Sequence, residues 1–157
     1  MADHTETFQI DYDPTLISYE EILELFWDNH NPAAAPWSRQ YMSVIFYHSE
    51  GQKKAALESM AAVEEKLQVK INTEIVPLSR FYLAENYHQK YYLQSVQALA
   101  GEIKAYYPEF NDFVDSTAAA RLNGLVAGYS DPALTADELD SYGLSPRGRE
   151  LLQRYLD

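Results

Sequence analysis

Two serines set the framework of this chain, each followed three residues later by a side chain that can reach back: Ser18 with Glu21, and Ser49 with Gln52. A serine hydroxyl that accepts from the third helical N–H, answered by a Glu or Gln accepting from the serine N–H, fixes where a helix begins. After Ser18, the residues Tyr19, Ile22, Leu23 and Phe26 fall on one helical stripe, and Asn31-Pro32 follows. Proline disfavours helical backbone at the residue before it, so the helix stops there. After Ser49, Ala56, Met60, Val63 and Leu67 recur at spacings of 4, 3 and 4. That is the period of a helix with one buried face.

Between these helices, Met42 to Tyr47 is a short apolar run rich in β-formers and reads as a buried strand. Ile71 to Val76, closed by Pro77, reads as another. Upstream, His4, Glu6, Phe8, Ile10 and Tyr12 share one parity, and Thr5, Thr7, Gln9 and Asp11 the other. This alternation predicts a strand over residues 4 to 12 with the first set facing the core, ended by Asp13-Pro14. Strands separated by single helices predict a two-layer α/β arrangement.

From about residue 95 the pattern is helical throughout. Val96, Leu99, Ile103 and Tyr106 are spaced 3, 4 and 3, and Pro108 follows. Ala118 to Ala127 ends at Gly128, suited to a left-handed C′ position. Thr135 and Glu138 form a third capping box, and Ser145-Pro146 is an N-cap and first-turn pair opening a last helix through Leu156. The expected division is residues 1–94 for the α+β part and 95–157 for a helical C-terminal extension.

Composition removes several classes of function. The formal net charge of -12 argues against nucleic acid, whose binding depends on neutralising phosphates, and against anionic membrane surfaces. No run of 18 apolar residues occurs, so no membrane span is expected. Met-Ala-Asp-His-Thr-Glu-Thr has no basic then apolar leader pattern, which makes the cytoplasm the default location. The cysteine count is zero, which excludes disulfides, thiolate metal sites and a cysteine nucleophile from these residues.

The stretch Phe81 to Leu93 carries four tyrosines and a histidine in thirteen residues. A helix begun at Ala84 would place Tyr87 and Tyr91 on one stripe with His88 and Tyr92 beside it. Buried tyrosine hydroxyls need partners, so a hydrogen-bonded aromatic seam is expected, against the plain alternative of an amphipathic helix whose tyrosines only pack.

Three segments in order resemble one family. Ala84–Tyr92 (AENYHQKYY) is similar to the AE-x-YHQ-x-YY segment of A-type peptide methionine sulfoxide reductases. Ile17–Pro32 (ISYEEILELFWDNHNP) and Gln40–His48 (QYMSVIFYH) are similar to that family's ISYE-LL--FW--H-P and QYRSAIFYH. The resemblance covers roughly residues 3 to 94. It implies a mixed sheet with helices packed on it, of which the matched part begins at the third strand. A sheet lacking its first strands and helix would expose edges, so marginal stability or self-association is expected.

The resemblance also implies roles. Sulfoxide reduction requires a proton for the S=O oxygen as a nucleophile attacks sulfur. His4-Thr5-Glu6 is similar to the family's GHAE strand, which makes Glu6 the expected acid. Its parity with Phe8 and Ile10 independently predicts a desolvated carboxyl, suited to a general acid. The alternative is a solvated Glu at a frayed rim. Tyr41 aligns with the tyrosine that hydrogen-bonds the sulfoxide oxygen, a neutral donor to developing negative charge; the plain alternative is packing. Trp37 either walls the pocket against the sulfoxide methyl or simply packs. Tyr87 and His88, within the YHQ match, are assigned to substrate binding, with packing and structural hydrogen bonding as the plain alternative. The family's loop before this tyrosine carries an Asp; here the loop is shorter, reads Ala35-Pro-Trp-Ser-Arg39, and holds no acid between His30 and Tyr41. No metal is expected, because no His, Asp or Glu cluster has ligand-like spacing.

The family's nucleophile motif, Gly-Cys-Phe-Trp-Gly, is absent. The implied activity is reduction of methionine sulfoxide, in oxidised proteins or free, to methionine, with recycling by thioredoxin or another thiol donor and no bound cofactor. This chain is expected not to turn over alone. Because some members use selenocysteine, a codon read as a stop would produce a reading that starts at the next internal Met, and Met1 lies just upstream of Glu6. The nucleotide sequence upstream tests this. The alternatives are a non-catalytic module binding methionine or its sulfoxide, and a fragment that pairs with another chain.

Overall fold

The computed structural model describes residues 4–129 and 136–156. Contacts divide the chain into two compact units, Met1–Phe81 and Tyr82–Asp157.

In the first unit, helix α1 (Tyr19–Asp28) begins where the capping box places it. Ser18 Oγ accepts from the Glu21 N–H at 3.2 Å, and the Glu21 carboxylate accepts from the Ser18 N–H at 2.8 Å. The Ser18 N–H first, and then the Ser18 hydroxyl donating to the same carboxylate at 2.7 Å, hold the Glu21 carboxyl below its ordinary pKa. Strand β1 (Val44–Tyr47) leads through helix α2 (Glu50–Leu67) to strand β2 (Glu74–Pro77). The two strands pair in parallel with Ile45 opposite Ile75. A helical crossover between parallel strands is the ordinary solution, because a tight turn can only reverse direction. Ser49 Oγ accepts from Gln52 N–H at 3.2 Å, but the Gln52 side-chain oxygen Oε1 accepts from His48 N–H at 2.7 Å instead of from Ser49 N–H. The reciprocal bond is therefore made one residue early.

The core of this unit joins Leu23 and Trp27 of α1, Ile45 of β1, Ala56 of α2 and Ile71. Trp27 Nε1 donates to Ser59 Oγ at 3.0 Å, so the indole is buried with its one polar atom satisfied. Leu67, expected on the buried stripe of α2, is exposed at the last residue of the helix.

Two expectations fail in this unit. Residues 4–13 form no strand: Thr5 and Glu6 bond to residues 39 and 40, without a ladder. Their apolar parity set is not a buried face either, since Phe8 and Ile10 are exposed. An alternating pattern makes a strand only when a neighbour supplies a ladder, and among the described residues the sheet has two strands.

In the second unit, helices α3 (Tyr91–Ser95), α4 (Gln97–Tyr106), α5 (Phe110–Asp115), α6 (Thr117–Val126), α7 (Ala136–Ser141) and α8 (Pro146–Leu156) enclose one core. Leu93, Leu99, Ile103, Phe113, Leu122 and Leu152 are its fully buried members. Tyr106, expected on the buried stripe of α4, is exposed, with its hydroxyl donating to Gly143 O at 2.9 Å. Gly128 takes a φ of 88°, as a left-handed residue after α6 must. Thr135 of the third expected capping box lies outside the described residues.

The expected helix from Ala84 does not form. Residues 86–90 make turns, and helix begins only at Tyr91, after Lys90 at a left-handed φ of 47°. Nor do the tyrosines form a buried seam: Tyr82, Tyr87, Tyr91 and Tyr92 are all exposed. Lys90, in the left-handed region directly before Tyr91, interrupts the helical run that a Tyr87–Tyr91 stripe needs.

Candidate functional site

The first unit gathers Glu6, Gln40, Tyr41 and Trp37. A 3₁₀ turn, Arg39–Tyr41, follows Ser38 and carries Tyr41 just before β1. Residues 5 and 6 fasten onto it by three hydrogen bonds. Thr5 Oγ1 donates to Arg39 O at 3.1 Å, Glu6 N–H donates to Gln40 O at 2.9 Å, and Gln40 Nε2 donates to Glu6 Oε1 at 2.7 Å. Glu6 is thus tied, by backbone and by side chain, to the residue preceding Tyr41. The rings of Trp37 and Tyr41 stack with centroids 4.6 Å apart and 15° between planes.

The cluster lies on open surface. Trp37 is 80% exposed and Tyr41 46%, and Glu6 is exposed. The desolvation expected for Glu6 therefore lacks its cause, because the apolar face it was to share is itself in solvent. Within the cluster, Ser38 Oγ is enclosed with no hydrogen-bond partner. Concavities of about 350 and 390 Å³ occur in the second unit, and neither is lined by Glu6 or Tyr41.

Tyr87 and His88 belong to the second unit. Tyr87 is 65% exposed and its ring lies 4.3 Å from that of His88. His88 N–H donates to Glu85 O at 2.9 Å, and its Nε2 lies 3.9 Å from the Glu85 carboxylate.

Sequence reasoning gave no role to Gln40, although it sits in the matched segment directly before Tyr41. It also passed over His30, whose Nδ1 lies 2.7 Å from Phe26 O while Nε2 faces Thr73 Oγ1 at 3.4 Å. That ring packs on Phe26 and Trp27 and braces α1. Among the described residues no group of three or more His, Cys, Asp or Glu side chains could hold a metal, and no helix is long and apolar enough to cross a membrane.

The first unit is an α+β arrangement with an open carboxylate–carboxamide–phenol cluster at the start of its first strand. Comparison with known proteins gives this arrangement a family. A family model described as peptide methionine sulfoxide reductase matches residues 1–118, past the residue-94 limit of the sequence resemblance. The chain belongs to that family. It is 42% identical over 152 residues to a peptide methionine sulfoxide reductase of Drosophila melanogaster, covering 96% of this chain and 61% of the relative. It is 44% identical over 96 residues to peptide methionine sulfoxide reductase MsrA of Methanosarcina mazei, covering 57% of this chain and 46% of the relative. A third relative, peptide methionine sulfoxide reductase A2 of Arabidopsis thaliana, is 41% identical over 95 residues, with 57% and 44% covered. The chain spans about half to three fifths of the length of these relatives.

Proposed function

We propose that this chain supplies the oxygen-side half of a methionine sulfoxide reduction site acting on oxidised proteins or free methionine sulfoxide. Glu6 delivers the proton to the S=O oxygen, the Tyr41 hydroxyl donates to the same oxygen, and Trp37 offers an apolar wall to the methyl and methylene groups flanking sulfur. The observation that carries this reading is the fastening of Glu6 onto Gln40, which sets an acid beside the turn that bears Tyr41.

The chemistry balances only with a nucleophile. A thiolate or selenolate attacks the sulfoxide sulfur, two electrons pass to that sulfur, and the oxygen leaves it for the nucleophile, taking up the proton. Methionine is released and a sulfenic or selenenic acid remains. A second thiol, from thioredoxin or a small dithiol, then forms a disulfide or selenenyl sulfide and releases water. These 157 residues hold no cysteine. The attacking atom therefore comes from outside them, and the chain alone binds without turning over.

The test is a titration of the full chain with N-acetyl-methionine sulfoxide methylamide, followed by NMR, together with a dithiothreitol turnover assay on a methyl aryl sulfoxide. Saturable shifts at Glu6, Tyr41 and Trp37 with no reduction are expected. Turnover by the chain alone contradicts the outside nucleophile; absence of binding removes the site. A second reading, a fragment that pairs with another chain, is favoured by a sheet with two strands and thus two unpaired edges among the described residues. It predicts no sulfoxide binding until that partner is added.

A further inference from the structure

We propose that Gln40 is the positioning residue for the acid, and that its carboxamide decides which oxygen of Glu6 carries the proton. This rests on the reading of Glu6 as the proton donor. Gln40 acts on Glu6 twice. Its carbonyl oxygen accepts the Glu6 N–H at 2.9 Å, which sets the backbone, and its Nε2 donates to Oε1 at 2.7 Å, which sets the side chain. The Thr5 hydroxyl, donating to Arg39 O at 3.1 Å, adds a third tie one residue away. The segment 4–13 has no ladder of its own, so these bonds are what hold the carboxyl in place.

The proton assignment follows from donor chemistry. A carboxamide nitrogen only donates. When Glu6 is in its acid form, the oxygen facing Nε2 must be the accepting carbonyl oxygen, Oε1. The O–H is then on Oε2, the oxygen left free to face a substrate. An exposed, unrestrained glutamic acid divides its proton between two equivalent oxygens and many rotamers. Gln40 removes that degeneracy, as a second group hydrogen-bonded to a histidine fixes its tautomer. The same side chain joins the acid to Tyr41, its immediate neighbour in the 3₁₀ turn, so both groups directed at the sulfoxide oxygen are placed by one short segment.

The test uses the full chain and the variant Gln40→Met, which matches the side chain in length, lacks the donor and keeps the backbone bond. Three quantities are measured: thermal midpoint, the ¹³C resonance of the Glu6 carboxyl, and affinity for N-acetyl-methionine sulfoxide methylamide. Losing one partly exposed hydrogen bond to a carboxyl weakens sulfoxide binding by roughly fivefold. The Glu6 resonance moves, and the thermal midpoint stays within about 2 °C, as for a surface change. A purely structural Gln40 gives the opposite pattern: a lower midpoint with unchanged affinity and an unmoved Glu6 resonance. Equal sulfoxide affinity in wild type and Gln40→Met overturns the inference while leaving the proposed function standing. A wild type that binds no sulfoxide overturns both.

Discussion

Substituting Gly148 by alanine pits helix propensity against a buried clash, and the structure decides the outcome. Gly148 is the third residue of α8, two after Pro146. A capping box would put Glu or Gln there to accept from the N-cap N–H. Glycine cannot, and the task falls to Glu102 of α4. Its carboxylate accepts from Ser145 N–H at 2.7 Å and from Ser145 Oγ–H at 2.8 Å. To do so it lies over the glycine: a Cβ on residue 148 would meet Glu102 Oε2 at 2.5 Å and Oε1 at 2.7 Å. Alanine must expel the carboxylate and both bonds with it. At about 1 kcal/mol for each bond the loss is about 2 kcal/mol. The gain from replacing a helical glycine is about 0.5–1 kcal/mol. Gly148→Ala is thus destabilising by about 1–1.5 kcal/mol. In a Glu102→Ala background the clash and the bonds are already gone, so the same substitution becomes stabilising by about 0.5–1 kcal/mol. Urea unfolding of the four chains, followed by far-ultraviolet circular dichroism, measures the cycle. An unchanged sign of the Gly148→Ala effect between the two backgrounds refutes the reasoning.

Trp27→Phe removes the donor to Ser59 Oγ and some core volume, and should cost about 1–3 kcal/mol in urea unfolding; a midpoint equal to wild type contradicts the packing described. The Glu21 carboxyl is held low by the Ser18 N–H and hydroxyl, and Asp13 by the Thr15 hydroxyl and N–H. Their folded pKa values lie below the unfolded ones, so their stabilisation is complete above the ordinary carboxylate range and disappears as pH falls through the folded values. Wild type should lose stability on acidification below about pH 5 more steeply than Glu21→Gln, and equal slopes in an acid-titrated melting series count against it. Trp37→Ala should leave stability within about 0.5 kcal/mol, because the ring is 80% exposed, yet weaken sulfoxide binding; loss of stability with intact binding reverses its assigned role.

Legibility in the sequence followed how local each cause was. Ser18 and Glu21 are three residues apart, their bonds are within one turn, and α1 starts where they place it. The β1–α2–β2 unit was readable for a related reason, since each element carries its own periodicity and the crossover is the ordinary connection. The segment 4–12 was misread because its alternation is real but needs a partner strand, and none lies beside it among the described residues. The aromatic stretch has a stripe at helical spacing, but spacing does not fix the backbone between its members, and Lys90 is left-handed between Tyr87 and Tyr91. The carboxylate that caps α8 was invisible, because Glu102 and Ser145 are 43 residues apart and only the fold joins them.

The candidate site shows the same division between residue identity and environment. The sequence argument for Glu6 had two parts: its place in a matched motif and its parity with apolar neighbours. Parity proved uninformative, since Phe8 at 75% exposure shields nothing. Glu6 is tied to the segment bearing Tyr41 by a side-chain amide at position 40, a contact 34 residues apart in sequence. In the proposed reaction, proton delivery by the exposed Glu6 draws on placement. One hydrogen bond that fixes a single oxygen and aims the other can supply that without burial. On that reading the amide at position 40 aims the acid without taking part in the proton transfer, so its loss weakens sulfoxide binding roughly fivefold and does not abolish it.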